Sequence, residues 1–492
     1  MASPKVYVLA DLHFGHKGVV RFRPQFRTVE EHDNYIMKKI LQTCGKKSTL
    51  WLLGDCFFTK DSLKYLETLR EAIGTIHLVL GNHSIKSDTE VLTATGWVQG
   101  RDLTSDMILL CPDESGVIQE ATPLSISQST APHMYQVEGA FINEIVTPQH
   151  AMIIDNKRVE VHTLPEIVPA KCFSYCASKK GSVSTPYTDD MLRLLIWVIT
   201  DGCMVQGESK NKKRIQWKLS KPRKLEALQN LLTRMGVPFT YKECKMSGIN
   251  KLQPYYIRVY GDWARLIFNK LHSVKRFPDE MVGISSDQTK VLYDTLGITD
   301  GCVRHDTLDI TTVVREDVDI LQRIFVTNNY PCSFSLSPNS RGFRNAKVQY
   351  KMKVKRRGTF QSSRPVKITP TLGGAEITSI STITGRMFTR RDGCVTVTGN
   401  CSESGAGQAN IKRMVNEKLV DKIHGLVNYK GCWMTHAPIH DSELRGKYCV
   451  YGHTHSVVVD DPRYFGVSCE QVNYTPIEFN KIKEILNGRN ET

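Results

Sequence analysis

Apolar, β-branched runs that stop at a metal-binding side chain occur at both ends of this chain. KVYVLAD ends at Asp11, with His13 two residues on; TLWLLGD ends at Asp55; IHLVLGNH ends at Asn82 and His83. Far downstream, CWMTHAPIH offers His436 and His440, and YCVYGHTH offers His453 and His455. Continuous apolar runs of this kind predict strands buried on both faces. In an α/β sheet, ligand sites form beyond the carboxyl ends of the strands, so these side chains are expected in one cleft. Carboxylate, amide oxygen and imidazole together suit Mn, Fe, Zn or a similar divalent ion rather than Ca. Two such ions about 3.5–4 Å apart can share a hydroxide and clamp a phosphoryl group, and Asp55 is the natural bridging carboxylate. Gly-Asp and Gly-Asn are also common turn pairs. Turn chemistry alone does not account for five pieces, each closing a strand.

The series DLHFGH, GDC, GNH, THAPIH and GHTH resembles the calcineurin-like metallophosphoesterases, and DLHFGHKGVVRFRPQF resembles a small subgroup of phage and bacterial genomes. The resemblance covers 1–83 and 401–492. It implies an α/β sandwich with Asp11, His13, Asp55 and His455 on one metal and Asp55, Asn82, His436 and His453 on the other. It further implies His83 as the general acid for the leaving oxygen of a phosphoester substrate. His16 falls in the same motif as a neighbour of the site. The family commonly has Asp or Glu after GNH, whereas Ser84 follows here.

That departure marks an interruption. Deleting 84–400 leaves GNH followed by CSESG and a host of 175 residues, an ordinary single-domain size. The deleted piece begins SIKSDTEVLTATGW, contains VTPQHAMII and ends VTVTGN before Cys401, and so resembles an intein. The resemblance implies an all-β splicing domain of the Hedgehog/intein type, built from about 84–180 and 365–400. Ser84 would attack the carbonyl of His83, with Thr147 and His150 polarising that amide. The Cys401 thiol would then take the acyl group. Asn400 would cyclise to free the insert, and an S-to-N shift would join His83 to Cys401. Gly399 stands where inteins usually carry a penultimate His, which predicts slow carboxyl-terminal cleavage.

Within the insert, LLIWVITDGC at 194–203 and DTLGITDGC at 294–302 are near copies with parallel flanks. Each unit predicts helix, strands, then an amphipathic helix: an internal duplication. A lone ITDG is a Gly-capped buried helix end; the pair resembles the LAGLIDADG homing endonucleases. The resemblance implies an α+β fold over 181–364 in which Asp201 and Asp300 hold Mg²⁺ against the strands of double-stranded DNA. Trp197 and Val198 stand where small residues would let the two helices approach. Ser/Pro/Gly-rich stretches at 177–188 and 362–375 predict linkers at its edges.

Charge agrees with that division. Of a net +15, residues 84–400 hold 42 Lys/Arg against 31 Asp/Glu, and the outer segments 23 against 19. A basic surplus in one segment points to a polyanion, nucleic acid first; KNKKRIQWK, SKPRK and YKMKVKRR carry much of it. No apolar run is long enough to span a membrane, no signal peptide is evident, and the 14 scattered cysteines suit a reducing cytoplasm. Cys172 and Cys176 read as two ordinary thiols. The rival from another class is a metal-stabilised binding protein with structural histidines and an inert insert.

Overall fold

The computed structural model describes residues 4–57, 59–79, 84–131, 133–148, 150–179, 187–207, 213–245, 252–337, 348–356, 364–371, 373–399, 413–439, 441 and 444–489, apart from the side chains of 60, 125, 127, 129 and 130. The first segment forms β1 (Lys5–Ala10), α1 (Val29–Thr43), β2 (Ser48–Leu53), α2 (Leu63–Ala72) and β3 (Thr75–Val79). An all-strand stretch follows: β4 (Ser84–Lys86), β5 (Glu90–Thr93), β6 (Gly96–Gln99), β7 (Leu109–Pro112), β8 (Val117–Ala121), β9 (Ser125–Ala131), β10 (Met134–Glu138), β11 (Asn143–Val146), β12 (Ala151–Ile154), β13 (Lys157–Glu160), β14 (Ile167–Val168) and β15 (Ser178–Lys179). The repeats then give α3 (Asp189–Ile199), β16 (Gly202–Gln206), β17 (Lys213–Leu219), α4 (Pro222–Arg234), β18 (Phe239–Glu243), β19 (Tyr255–Val259), α5 (Gly261–Lys270), α6 (Ser286–Ile298), β20 (Cys302–Arg304), β21 (Thr307–Thr312), α7 (Arg315–Val326), β22 (Cys332–Ser337) and β23 (Gln349–Lys355). Last come β24 (Val366–Thr371), β25 (Ala375–Ser381), β26 (Arg386–Arg391), β27 (Cys394–Gly399), β28 (Lys422–His424), β29 (Val427–Tyr429), β30 (Cys432–Thr435), β31 (Tyr448–Tyr451), β32 (Tyr464–Gly466), β33 (Ile477–Glu478) and a helix over Phe479–Arg489.

The two ends of the chain build one unit. β28, β3, β2 and β1 run parallel in that order, with β33 antiparallel at the edge. A second sheet orders β29-β30-β31-β32, its last three strands parallel. Val8, Trp51, Leu53 and Val79 of the first sheet share a buried core with Met434 and Val450 of the second and with Phe479, Ile482 and Leu486 of the final helix. The opposite face, with Leu9, Leu50 and Leu52, packs on Ile36, Ile40, Leu66 and Leu69 of α1 and α2. Each of these aliphatic side chains contributes roughly 1.5–3 kcal/mol by leaving water. Both faces are therefore apolar, which is why these runs show no polar alternation. Thr28 caps α1 by accepting from Glu31 N at 3.1 Å, and the Glu31 carboxylate reaches back to Arg27 N at 2.8 Å.

The insert is β-rich outside the repeats. One sheet orders β14-β24-β10-β11-β4-β25-β9, and a longer one runs β15-β8-β7-β5-β26-β27-β22-β23-β21-β20. The longer sheet joins strands near the two ends of the 84–399 stretch to strands of the second repeat. α3 and α6 pack against each other, each capped by a hydroxyl: Thr188 accepts from Met191 N and Ser285 from Gln288 N, both at 3.2 Å. The first repeat carries a separate sheet, β16-β17-β19-β18.

The linker expected at 362–375 is corrected here. Val366–Thr371 is a strand held between β10 and β14. β14 covers only Val366 and Lys367, so Pro370 lies where that side of the strand is an edge and its missing N–H costs little. Among the described residues no helix is long and apolar enough to cross a membrane.

Candidate functional site

The strand ends bring residues of both terminal segments together. Asp11 follows β1 and is fully buried; its Oδ2 accepts from His453 N at 2.6 Å and from Ser468 Oγ at 2.8 Å. Its Oδ1 lies 3.4 Å from His436 Nδ1 and has no hydrogen-bond partner among the described residues. His453 Nδ1 faces His436 Nε2 at 3.0 Å, and the His13 and His455 rings lie 5.0 Å apart. His13 N donates to Asp55 O at 3.0 Å, and the Asp55 charge acts on His16, His436 and His453. Asp11, His13, Asp55, His436, His453 and His455 are thus assembled at the carboxyl ends of strands. His16 touches His13 through their Nδ1 atoms at 3.1 Å. Asn82, His83 and His440 lie outside the described residues.

The electrostatics follow from burial and close charges. Burial would raise the Asp11 carboxyl, but the close approach and charge of His436, with the charges of His13 and His455, outweigh it and hold it well below its ordinary range. Burial drives His13 down, and burial with the neighbouring His436 takes His453 to about 4. His436 resists its own burial and rises because Asp55 and Asp11 face it. His455 is raised first by its hydrogen bond to Glu470 at 3.1 Å. Glu470, against its burial, falls to about 2 through His455 and Arg23.

Among the described residues no three His, Cys, Asp or Glu side chains converge in ready coordination geometry. The donor chemistry fits divalent ions all the same. Asp11 Oδ1 is buried without a hydrogen bond. The His436 and His453 nitrogens, 3.0 Å apart, approach the spacing two imidazoles adopt on one ion with bonds of about 2.1 Å.

Three supporting residues have no signature in the strand-end pattern. Arg23, fully buried, donates to Asp11 O at 2.8 Å and to Glu470 Oε1 at 2.8 Å; Glu470 orients His455; Ser468 holds Asp11. The one available signal was the RFRPQF run, whose arginines are out of place in an ordinary turn.

At the start of β4, Ser84 N donates to Thr147 Oγ1 at 3.0 Å, and Thr147 N donates to Ser84 O at 3.0 Å. The amide joining residues 83 and 84 is therefore gripped by Thr147. The Ser84 hydroxyl contacts Ser379 Oγ. His150 Nε2 meets Thr398 Oγ1 at 2.6 Å, which ties this segment to β27 just before Gly399. Sequence reasoning missed Ser379 and Thr398 because their partners lie hundreds of positions away. Asn400 and Cys401 lie outside the described residues.

In the repeats, Asp201 and Asp300 follow the paired helices α3 and α6 and are electrostatic neighbours. Burial first, and then the Asp201 charge, raise the Asp300 carboxyl. Lys224 of α4 donates to both oxygens of Asp201, at 2.8 and 2.7 Å, and Lys275 donates to Thr200 O at 2.8 Å. The arrangement is asymmetric. Matching Leu225 and Leu228 of α4 to Val318 and Leu321 of α7 puts Asp317 where α4 has Lys224, and Asp317 accepts from Phe277 N at 3.1 Å. Cys176 contacts Asn329 Oδ1 at 3.2 Å.

No family model matches the sequence. The Gene 66 protein of Mycobacterium phage L5 is 34% identical over 95 residues, 18% of this chain and 46% of that protein. An uncharacterized protein of Methanocaldococcus jannaschii is 31% identical over 86 residues, 17% of this chain and 48% of that one. The chain thus spans about half the length of the curated relatives it matches. Among solved structures, variants of the homing endonuclease I-DmoI share 12% identity at a TM-score of 0.26, covering 34% of this chain and 88% of theirs. The AceL NrdHF class 3 split intein shares 10% identity at 0.24, covering 65% of this chain and 99% of that one. Likenesses of that strength fix no activity for this chain.

Proposed function

We propose that the chain is the precursor of a two-metal phosphoesterase interrupted by an intein that carries a LAGLIDADG-type endonuclease. The observation that carries this reading is the convergence of Asp11, His13 and Asp55 with His436, His453 and His455 across the interruption. Asp11, His13, Asp55 and His455 would hold one divalent ion, and Asp55, Asn82, His436 and His453 the other. The ions would supply Lewis acidity toward a phosphoester. The chain's own residues do the rest: Ser468 and Arg23 fix Asp11, Glu470 sets the His455 tautomer, and His83 gives a proton to the leaving oxygen.

In the insert, Ser84 Oγ would attack the carbonyl carbon of residue 83, breaking the amide to an ester as Ser84 N takes up the proton. Thr147 is placed to assist, since its hydroxyl accepts from that nitrogen. The Cys401 thiol would displace the Ser84 oxygen, and the Asn400 amide would cyclise to release the insert. The basic surplus of 84–400 and the adjacent carboxylates Asp201 and Asp300 support a metal-dependent cut in double-stranded DNA.

One experiment tests host and insert together. Purified full chain is incubated and followed by mass spectrometry while Mn²⁺-dependent hydrolysis of bis-p-nitrophenyl phosphate is recorded. The reading expects a joined 175-residue product, an excised 84–400 fragment, and hydrolysis rising with the joined product. A single intact species with no turnover in any divalent metal favours the metal-stabilised binding protein.

A further inference from the structure

The RFRPQF run does more than brace Asp11. Between it, α1 and the turn at Asn473-Tyr474 lies a cavity of about 580 Å³ lined by Gln25, Phe26, Asn34, Tyr35, Lys38 and Tyr474, among others. Phe26 and Tyr474 are buried, whereas Tyr35 keeps 37% of its surface exposed. The three rings meet edge to face or tilted at 5.3–6.0 Å. Asn34 and Asn473 bring side-chain amides to the lining. Asn473 and Tyr474 both take left-handed backbone, φ 50° and 57°, a strain that proteins place at functional loops.

We infer that this cavity is a base-binding pocket for a nucleotide, which on the phosphoesterase reading makes the substrate a nucleotide ester. The volume lies in the range of sites for small molecules of this size. Aromatic faces stack on any base. Amides present a donor and an acceptor side by side, as a base edge requires. Lys38 lines the cavity and provides a cation for a phosphate, with the Glu31 carboxylate as the acidic group of the same lining. A sugar phosphate or an acidic peptide would use the Lys38 cation but leave the ring cluster idle.

Arg23 links the pocket to the metal-ligand cluster. Arg23 lies 5.4 Å from the Tyr474 ring centroid while it holds Asp11 O and the Glu470 that orients His455. Arg23 therefore connects Tyr474 with the residues that hold both Asp11 and His455.

The test is binding of adenosine 5′-monophosphate to the full chain in EDTA, followed by calorimetry, with ribose 5-phosphate as the base-free control. The expected result is adenosine 5′-monophosphate at least tenfold tighter than ribose 5-phosphate, a loss of at least tenfold in Tyr35→Ala, and recovery in Tyr35→Phe. Equal binding of the two ligands, no binding of either at millimolar concentration, or full affinity in Tyr35→Ala overturns the inference. Because no metal or turnover enters, an absence of hydrolysis alongside intact binding counts against the phosphoesterase and not against the pocket.

Discussion

Asp11, His13, His453 and His455 all have positive φ, between 50° and 68°. Non-glycine residues pay of order 1–3 kcal/mol each for such backbone, and four of them at one cluster indicate that the strand ends are bent to bring their donors together. Gly54 shows how little room remains: at φ +75° a Cβ would lie 1.7 Å from His436 Nδ1. Gly54→Ala is therefore predicted to push His436 from the cluster. Metal analysis after desalting should find at least tenfold less bound Mn²⁺ than in the wild-type chain. A second residue carries a pH signature. Glu144 is fully buried, accepts from Thr389 Oγ1 at 2.6 Å, and burial pushes its carboxyl from 4.5 up to about 7. Because the folded form holds its proton more tightly than the unfolded chain, its contribution is fully present below pH 4.5. It is lost as pH rises through about 7, by roughly 3 kcal/mol at 1.36 kcal/mol per unit. Glu144→Gln should raise the melting temperature of the insert at pH 8 and leave it near wild type at pH 4.5, as calorimetry at the two pH values can decide.

At the scale of elements, the apolar runs and the duplicated ITDG helices were readable because their signals are local. β1, β2, β3, β30 and β31 are buried on both faces, and α3 and α6 repeat one pattern with hydroxyl caps. The residues that hold the sites in place were not readable. Arg23, Ser468 and Glu470 around Asp11, Ser379 and Thr398 at the splice edge, and Lys224 on Asp201 act across long sequence separations, where composition and periodicity carry no signal. β24 escaped for a different reason: Ser, Pro and Gly suggest a linker, and only the partners β10 and β14 make it a strand. Thr147 permits a direct test on this scale. Removing its hydroxyl leaves Ser84 N, a buried donor, without the 3.0 Å acceptor, a loss of about 1–3 kcal/mol. Thr147→Ala should slow release at the 83–84 junction at least tenfold, measured by gel densitometry of thiol-free time courses. An unchanged rate would remove Thr147 from the splicing chemistry.

At the scale of the whole molecule, the second repeat is integrated with the strands on either side of it rather than appended to them. β22 bridges β27 through Ser333 and Cys394, Phe334 N donates to Gly393 O at 3.1 Å, and Gln322 Nε2 donates to the same carbonyl at 2.9 Å. Buried Arg390 ties Glu90 of β5 to Gln322 of α7 while lying over Trp97 at 4.5 Å. A Cβ on Gly393, at φ +79°, would lie 2.2 Å from Phe334 O. Gly393→Ala is thus predicted to destabilise β26, β27 and the second repeat together, by about 2 kcal/mol or more. Hydrogen exchange should show protection falling in β22 and β27 alike; a loss confined to one of them would mean separable units. The account as a whole rests on chain ends from 1–83 and 401–492 closing around one pair of ions. Its most direct test is the electron paramagnetic resonance spectrum of the Mn²⁺-loaded full chain. An exchange-coupled two-manganese signal is predicted, lost in Asp11→Asn and equally in His453→Ala. An uncoupled single-ion spectrum, or a coupled one that survives either substitution, contradicts it.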